Sequence, residues 1–462
     1  MSVEEWTAMA ALAVNPERLP FRSGTKGAVR VGFGELDDRP VVAISIDPRD
    51  GQTALTSSDG ESLAVAAQMA LEKRVPLVAS IASSGSDVEE GVAAMHSWGH
   101  AARAIVRCSG IVPLVFAVDG PAVAAPAMLL GLADLVVMTA DSYAFVTGPH
   151  MVRQFTGEQL TNAQLGGAEM HAHTSGVASI VVADAAAAQS MIGTLLSYLP
   201  AHCDELPPQW SCDDPPTRSV PEVCEIIPES SMGSYDVRRI IETVTDVGSF
   251  LELRAAFAPN LVTGFAMVAG RCVGIVANQP QALAGTLDIG ASQKGARFVA
   301  MCDAFNLPLL TFVDTSGFYP GKDLEWRGMI RYGAQMAFAY ARARVPRVCV
   351  TLRKSYGGAY IVMDSKYMGN DLSIAWPSAQ IAVMGAKGAV EILHRRASAQ
   401  ERLDYEQAYE ERLLNPYIAA ERGSVDRVID PADTRAEVAR SLDVLATKRE
   451  KLARRRHDNT PL

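Results

Sequence analysis

Apolar residues recur along this chain with two alternating periods. Val29 to Leu36 and Pro40 to Ile46 form a pair of short strand-like runs, the pattern of a hairpin. Leu63, Ala67, Ala70 and Leu71 then recur at helical spacing and predict a helix over Glu61 to Arg74. A strand follows at Leu77 to Ile81, a helix at Val88 to Val106, and a strand at Val112 to Val118. The same order returns in the later part of the chain. A hairpin at Gly264 to Ala269 and Cys272 to Ala277 precedes a helix at Gln293 to Phe305, a strand at Leu307 to Val313, a helix at Trp326 to Ala343 and a strand at Arg347 to Leu352.

The recurrence extends to individual residues. Val75-Pro76-Leu77-Val78 leads into Ser83-Ser84-Gly85, and Leu307-Pro308-Leu309-Leu310 leads into Asp314-Thr315-Ser316-Gly317. Pro76 and Pro308, like Gly85 and Gly317, stand 232 residues apart, and Pro113 and Pro346 stand 233 apart. An offset held across some 40 residues marks an internal duplication of one α/β unit. Alternating strands and helices imply parallel strands with right-handed crossovers, which places ligands beyond the carboxyl ends of the strands. Seven prolines crowd the segment from Pro200 to Pro228 and break all periodicity, so the chain reads as a first domain over residues 1–200, a connector over 201–230 and a second domain over 231–462.

Composition narrows the class. Across 462 residues, 48% hydrophobic and 20% charged content is that of a globular protein, which excludes disorder as the main property. A net charge of −10 has the wrong sign for coating nucleic acid or an anionic membrane, so neither is expected as a partner. Seven scattered cysteines without a Cys-x-x-Cys pair suggest reduced thiols in a cytoplasmic protein and no structural zinc. The acidic start and the lack of a long uninterrupted apolar run support neither export nor membrane spanning.

Two loops carry candidate chemistry. Tyr356-Gly357-Gly358-Ala359-Tyr360 follows a strand, where glycines let backbone N–H groups approach a bound oxygen in the manner of an oxyanion hole. Tight helix–strand packing explains the same glycines equally well. The loop Asp314 to Gly321, including Gly317 and Phe318, lies at the neighbouring strand end. Metal-binding histidine spacing, a Gly-x-Ser-x-Gly elbow and a phosphate loop are all absent, and His171-Ala172-His173 reads as a loop pair.

Over nearly its whole length the chain resembles the carboxyltransferase β subunits of biotin-dependent acyl-CoA carboxylases, of the actinobacterial acetyl-/propionyl-CoA type. The resemblance rests on Phe145 to Pro149, Leu165-Gly166-Gly167-Ala168 with His171, Ser175 to Ala178, Tyr235 to Arg238, Val276 to Pro280, Lys294 to Phe298, Cys302 to Phe305, the Asp314 and Tyr356 loops, Ala375-Trp376-Pro377 and Val383 to Ala386. It implies two crotonase-like domains, a hexamer of β subunits with active sites at dimer interfaces, and transfer of a carboxyl group from N1-carboxybiotin to the α-carbon of a short acyl-CoA. Malonyl-CoA or methylmalonyl-CoA would be the product, a precursor for lipid or polyketide synthesis. Biotin would arrive on a biotinylated α subunit, because this chain has no Met-Lys-Met attachment sequence. No metal is implied in this subunit. Carried across by position, Gly358 and Ala359 match the biotin-side oxyanion pair, and Tyr360 and Ile361 fall at positions bordering the acyl chain.

The first half departs from the family pattern. Ser83-Ser84-Gly85-Ser86-Asp87 stands where the family has Ser-Gly-Gly-Ala-Arg, and Val123-Ala124-Ala125-Pro126 where it has Ala-Gly-Gly-Ala. Ser84, Gly85, Ala124 and Ala125 still offer amides for an acyl-CoA-side hole. The Cβ of an alanine is expected to forbid positive φ, and Pro126, which matches Ala359, has no N–H. Several readings follow: an active carboxyltransferase with a remodelled acyl site, a subunit working only in a mixed hexamer with another β subunit, a decarboxylase or a transferase on an unusual acyl carrier, and a non-catalytic module binding CoA esters or the biotin carrier.

Overall fold

The computed structural model describes residues 28–46, 54–228, 230, 233–448, 450, 452 and 459–461. The chain divides into two compact units, Met1–Leu206 and Pro207–Leu462. In the first, the hairpin β1 (Val29–Leu36) and β2 (Arg39–Ile46) is antiparallel, and the sheet continues in parallel through β4 (Leu77–Ser83), β6 (Leu114–Val123), β7 (Leu135–Thr139) and β9 (Ile180–Val182). Helices α1 (Ser57–Lys73) and α2 (Val92–Cys108) make the crossovers on either side of β4. A small parallel pair, β3 (Ala54–Leu55) with β5 (Gly85–Ser86), stands apart from the main sheet, and β8 (Tyr143–Phe145) pairs with the end of β6.

The second unit repeats this plan. Its sheet runs β10 (Leu251–Leu253), β11 (Leu261–Val268), β12 (Arg271–Asn278), β13 (Leu309–Thr315), β14 (Arg347–Tyr356), β15 (Leu372–Ala375) and β17 (Arg427–Val428), with β16 (Gln380–Ala382) on the end of β14. Crossovers are α3 (Ile289–Ala304) and α4 (Met329–Arg342). The two-domain α/β fold predicted from the alternating periods, and the crotonase-like architecture implied by the resemblance, agree with this arrangement.

The repeated prolines have a physical role at the strand entrances. Pro76 and Pro113 lack N–H groups, but their carbonyls accept from Val42 N and Leu77 N at 3.0 and 2.9 Å. Pro308 and Pro346 do the same for Gly274 N and Leu309 N at 2.8 and 2.9 Å. Proline is tolerated at the start of a strand because the missing donor is not part of the ladder. The helices begin at residues with the same offset: the Thr56 side chain caps α1 in a reciprocal box with Asp59, and Asp288 accepts the Ala291 N–H at 2.8 Å to cap α3.

Several boundaries differ from the periodicity: α1 and α3 each begin four residues earlier than expected, at Ser57 and Ile289. The helix expected from Val88 starts at Val92, because Val88 to Gly91 form turns after the Asp87 N–H is taken by the Leu55 carbonyl at 2.8 Å. The helix expected from Trp326 starts at Met329, since Gly328 is left-handed at φ +98°. Part of the proline-rich stretch is not a free linker. Val220 and Val223 are fully buried in the core of the second unit, and Trp210 N donates to Gly270 O at 2.8 Å. Periodicity cannot detect such packing, because it depends on partners distant in sequence.

Candidate active site

The end of β14 runs directly into a short helix, α5 (Gly357–Val362). Gly357 holds φ at +60°, and a Cβ there would lie 3.1 Å from the Val383 carbonyl. Gly358 has no such backbone demand. An added Cβ there would make a tight contact with Phe318, 3.2 Å from its ring. Close packing against Phe318 coexists with an exposed backbone: Gly358 faces solvent, whereas Ala359 is fully buried. The amides of Gly358 and Ala359 lie in the first turn, where N–H groups have no acceptor within the helix.

Gly317 and Phe318 close this loop cluster. Thr315 Oγ1 accepts the Gly317 N–H at 3.3 Å and donates to the Gly317 carbonyl at 3.2 Å, so that amide is held locally. Leu287 bridges Phe318, with Leu287 N donating to Gly317 O at 3.1 Å and Tyr319 N to Leu287 O at 2.9 Å. Ile361, near the end of α5, is 40% exposed. Tyr360 turns the other way, its ring packing on the cluster of Ala375, Ala379, Ile381, Ala419 and Val425, so its side chain belongs to the core. Periodicity gave no sign of that orientation.

The first unit builds the same frame. Ser83 Oγ accepts the Gly85 N–H at 3.2 Å and donates to Gly85 O at 3.3 Å, as Thr315 does with Gly317. Leu55 pairs with Ser86 as Leu287 pairs with Phe318. The strand β6 leads to a short helix at Ala125–Leu130 with Pro126 buried in its first turn. Ala124 adopts φ +57°, ψ −122°, at the position where the second unit has Gly357. The expectation that its Cβ forbids positive φ is thus corrected: the surrounding structure imposes this conformation on an alanine, at a cost of roughly 1–3 kcal/mol.

The expected acyl-side donors fare unequally. The Gly85 N–H is taken by Ser83 Oγ, the Ala124 N–H by the Phe145 carbonyl at 2.9 Å, and Pro126 has none. Ser84 is exposed in the turn between β4 and β5, and Ala125 accepts at its carbonyl from Trp98 Nε1 at 2.9 Å. His171 is buried and satisfied, with Nδ1 2.6 Å from Ser175 Oγ and Nε2 2.8 Å from the Ala144 carbonyl, which braces β8. An open depression of about 430 Å3, lined by Ala163, Gln164, Glu169, Met170 and His173, contains none of the expected site residues.

Behind the second-unit loop, the structure joins Asp314 and Tyr235, which the sequence marked separately, to Arg353, which local patterns missed. Asp314, 3% exposed, accepts from Tyr235 Oη at 2.8 Å and Arg353 Nε at 3.0 Å through Oδ2. Burial, reinforced by Asp314, pushes the Tyr235 hydroxyl well above its ordinary pKa. Setting the halves against each other at the 232–233 offset would have exposed these positions, because Ala82 and Gly120 replace Asp314 and Arg353. Among the described residues, no group of three or more His, Cys, Asp or Glu could hold a metal ion, and no helix is long and apolar enough to cross a membrane.

Comparison with known proteins assigns this frame. The carboxyl transferase domain family matches residues 8–460. The propionyl-CoA carboxylase beta chain of Saccharopolyspora erythraea is 43% identical over 453 residues, covering 94% of this chain and 83% of that one. The propionyl-CoA carboxylase carboxyltransferase subunit of Haloferax mediterranei is 42% identical over 441 residues, covering 94% and 86%. Among solved structures, the transcarboxylase 12S hexamer with methylmalonyl-CoA and methylmalonic acid bound superposes with a TM-score of 0.91 at 39% identity, covering 94% of this chain and 85% of that one. The chain belongs to the carboxyl transferase domain family, as an enzyme of the β-subunit type found in biotin-dependent acyl-CoA carboxylases.

Proposed function

We propose that this subunit, within a hexamer of β subunits, carboxylates the α-carbon of a short acyl-CoA, propionyl-CoA or acetyl-CoA. The observation that carries the reading is the pair of first-turn amides at Gly358, which is exposed, and Ala359, whose side chain is buried, beside a loop closed by Phe318. A biotinylated partner subunit would bring the group that supplies the carboxyl, as N1-carboxybiotin. The loop suits a flat, neutral ureido group: Gly358 presents no side chain, and the Phe318 ring leaves little room for one there. Gly358 and Ala359 would donate hydrogen bonds to the ureido oxygen, favouring the form in which it carries negative charge. Ala125 remains as a backbone donor toward the thioester oxygen. The apolar Ile361 suits a short alkyl chain, and the names of the relatives favour propionyl-CoA.

A second reading is favoured by one observation. Pro126 has no N–H and the Ala124 N–H is already bonded to Phe145, so the first unit offers fewer donors than the second. On that reading the chain works only in a mixed hexamer, with another β subunit supplying the acyl-CoA half-sites.

Reconstitution separates the two. The purified chain is mixed with a biotinylated α subunit, ATP and bicarbonate, and methylmalonyl-CoA and malonyl-CoA are scored. Turnover by the homo-oligomer supports the first reading and removes the second. Rescue only by an added β subunit does the reverse. Carboxyl loss without acyl-CoA product points to a decarboxylase, and binding without exchange in every mixture points to a non-catalytic module.

A further inference from the structure

Both units bulge the strand that leads into the loop helix, and they hold the bulge open by different means. In the second unit, Val313 pairs with Thr351 and the register resumes at Thr315 with Ser355, so β14 has two more residues than β13 across the gap. In the first, Ile81 pairs with Val118 and Ser83 with Ala122, the same displacement. Asp314 lies opposite the second bulge and Ala82 opposite the first. The bulge itself contains Leu352, Arg353 and Lys354 in one unit, Asp119, Gly120 and Pro121 in the other.

In the second unit a single carboxylate engages the whole bulge. Asp314 Oδ1 accepts the Lys354 N–H at 3.0 Å, and Oδ2 accepts from Arg353 Nε and Tyr235 Oη. Arg353 also donates to the Ser230 carbonyl at 3.2 Å and lies 5.2 Å from the centre of the Tyr235 ring. The Asp314 N–H donates to Asn278 Oδ1 at 3.2 Å. Among the described residues of the first unit, Ala82, Gly120 and Pro121 stand where Asp314, Arg353 and Lys354 stand in the second. Pro121 has no N–H to capture, and Ala82 Cβ lies only 3.1 Å from where a Cβ on Gly120 would be.

The first-unit bulge thus sets Ala82 against Gly120 where the second has a buried ion pair, and its own Asp119 accepts from Ser80 Oγ at 3.0 Å; replacing buried pairs by apolar contacts generally costs a fold little. What differs is the chain that follows. After Pro121 come Ala124, Ala125 and Pro126, whose backbone freedom is restricted by ring and Cβ. After Lys354 come Gly357 and Gly358, the least restricted residues available. A glycine loop needs an external tie to present its amides in one place. Asp314 supplies that tie from both sides, binding the strand three residues before Gly357 and directly preceding Thr315, which holds Gly317.

We propose that Asp314 is a positioning residue, held by Arg353 and Tyr235, that fixes the Gly358 and Ala359 amides relative to the Gly317–Phe318 loop. The proposal rests on the carboxyltransferase reading given above. The test compares wild type with the double variant Asp314→Ala/Arg353→Gly, which leaves no buried charge unpaired, in the reconstituted holoenzyme. Expected are wild-type elution, an unchanged KM for acyl-CoA, and a kcat lower by about 10²-fold, the size of loss that misplacement of catalytic groups by an ångström produces. Hydrogen exchange supplies a readout that needs no turnover: amides across residues 354–362 should exchange faster in the variant. A folded double variant with wild-type kcat, or with unchanged exchange in that segment, overturns the proposal. If the double variant does not assemble, Tyr235→Phe, which removes one hydroxyl from Asp314, decides. Faster exchange and a smaller loss of kcat with constant KM support the proposal, and wild-type behaviour in both overturns it. If wild type carboxylates no acyl-CoA the functional reading fails, and the exchange measurement still tests the tie.

Discussion

The two units of this chain reach one backbone plan with opposite chemistry around the loop helix. In the second, α5 is flanked by two buried ion pairs: Arg353 with Asp314 at 3.0 Å, and Arg347 with Asp364 at 2.7 Å. In the first, the same offsets hold Gly120 with Ala82 and Leu114 with Gly131. Leu114 opens β6 as Arg347 opens β14, and both pair with equivalent strands. Charges taken out of water are costly even when paired, and the first unit has uncharged residues at these four positions. The ion pairs belong to the unit whose loop is built from glycine. The comparison teaches that the glycine loop is tied through a buried carboxylate, whereas the alanine and proline loop combines its own restricted backbone with ties from Phe145 and Trp98.

The largest expected effect breaks the brace on one side only. Asp314→Ala leaves Arg353 buried without its carboxylate and should destabilise the second unit by about 3–5 kcal/mol. Adding Arg353→Gly should restore most of that loss, measured by urea unfolding of all three proteins. Next in size is Ala359→Pro, which gives the second loop the residue that the first carries at Pro126. Proline is tolerated in a first helical turn, so the protein should fold, while loss of one donor should lower kcat by about 10²–10³-fold in the reconstituted assay. Survival of activity would show that the Ala359 amide donates to nothing that matters.

A pH dependence should distinguish the units further. Burial pushes the Asp364 carboxyl up to about 6, against the pull of Arg347, and its Oδ2 has no partner. Between the ordinary carboxyl value and 6 the native state then holds more protons than the unfolded chain, so this group's contribution falls as pH rises from about 4 to about 6. Asp364→Asn should remove that slope, which denaturation midpoints at the two pH values will report. Leu114 and Gly131 carry no such group. The smallest effect concerns Ala124. Ala124→Gly relieves a positive φ at the expense of a more flexible unfolded chain, for a net gain of about 1 kcal/mol in the first unit. No gain would mean that the neighbouring chain already relaxes the strain.

Much of the architecture was legible from short-range pattern. The offset read from Pro76 and Pro308 recurs in the caps at Thr56 and Asp288, in the Ser83 and Thr315 hydroxyl bonds, and in the Leu55 and Leu287 bridges. These features are local, and a duplicated sequence reproduces them. The candidate site was legible only in part. Gly357 and Gly358 were visible as residues, but whether each served φ, packing or exposure depended on Val383 and Phe318. Tyr360 was placed beside the acyl chain, although its ring packs into a cluster that includes Val425.

By itself the sequence determined that two similar α/β units lie in one chain, that glycine loops follow the strands of the second, and that the first has diverged there. Hydrophobic period, proline position and loop composition are properties of neighbouring residues, so one dimension suffices to read them. Only the tertiary structure decided that Ala124 is held at positive φ, that its N–H is spent on Phe145, and that Asp314 joins Arg353 and Tyr235. Those facts depend on groups 39 and 79 residues apart meeting within 3.0 Å, and on a carboxylate whose partners are chosen by burial rather than by sequence proximity.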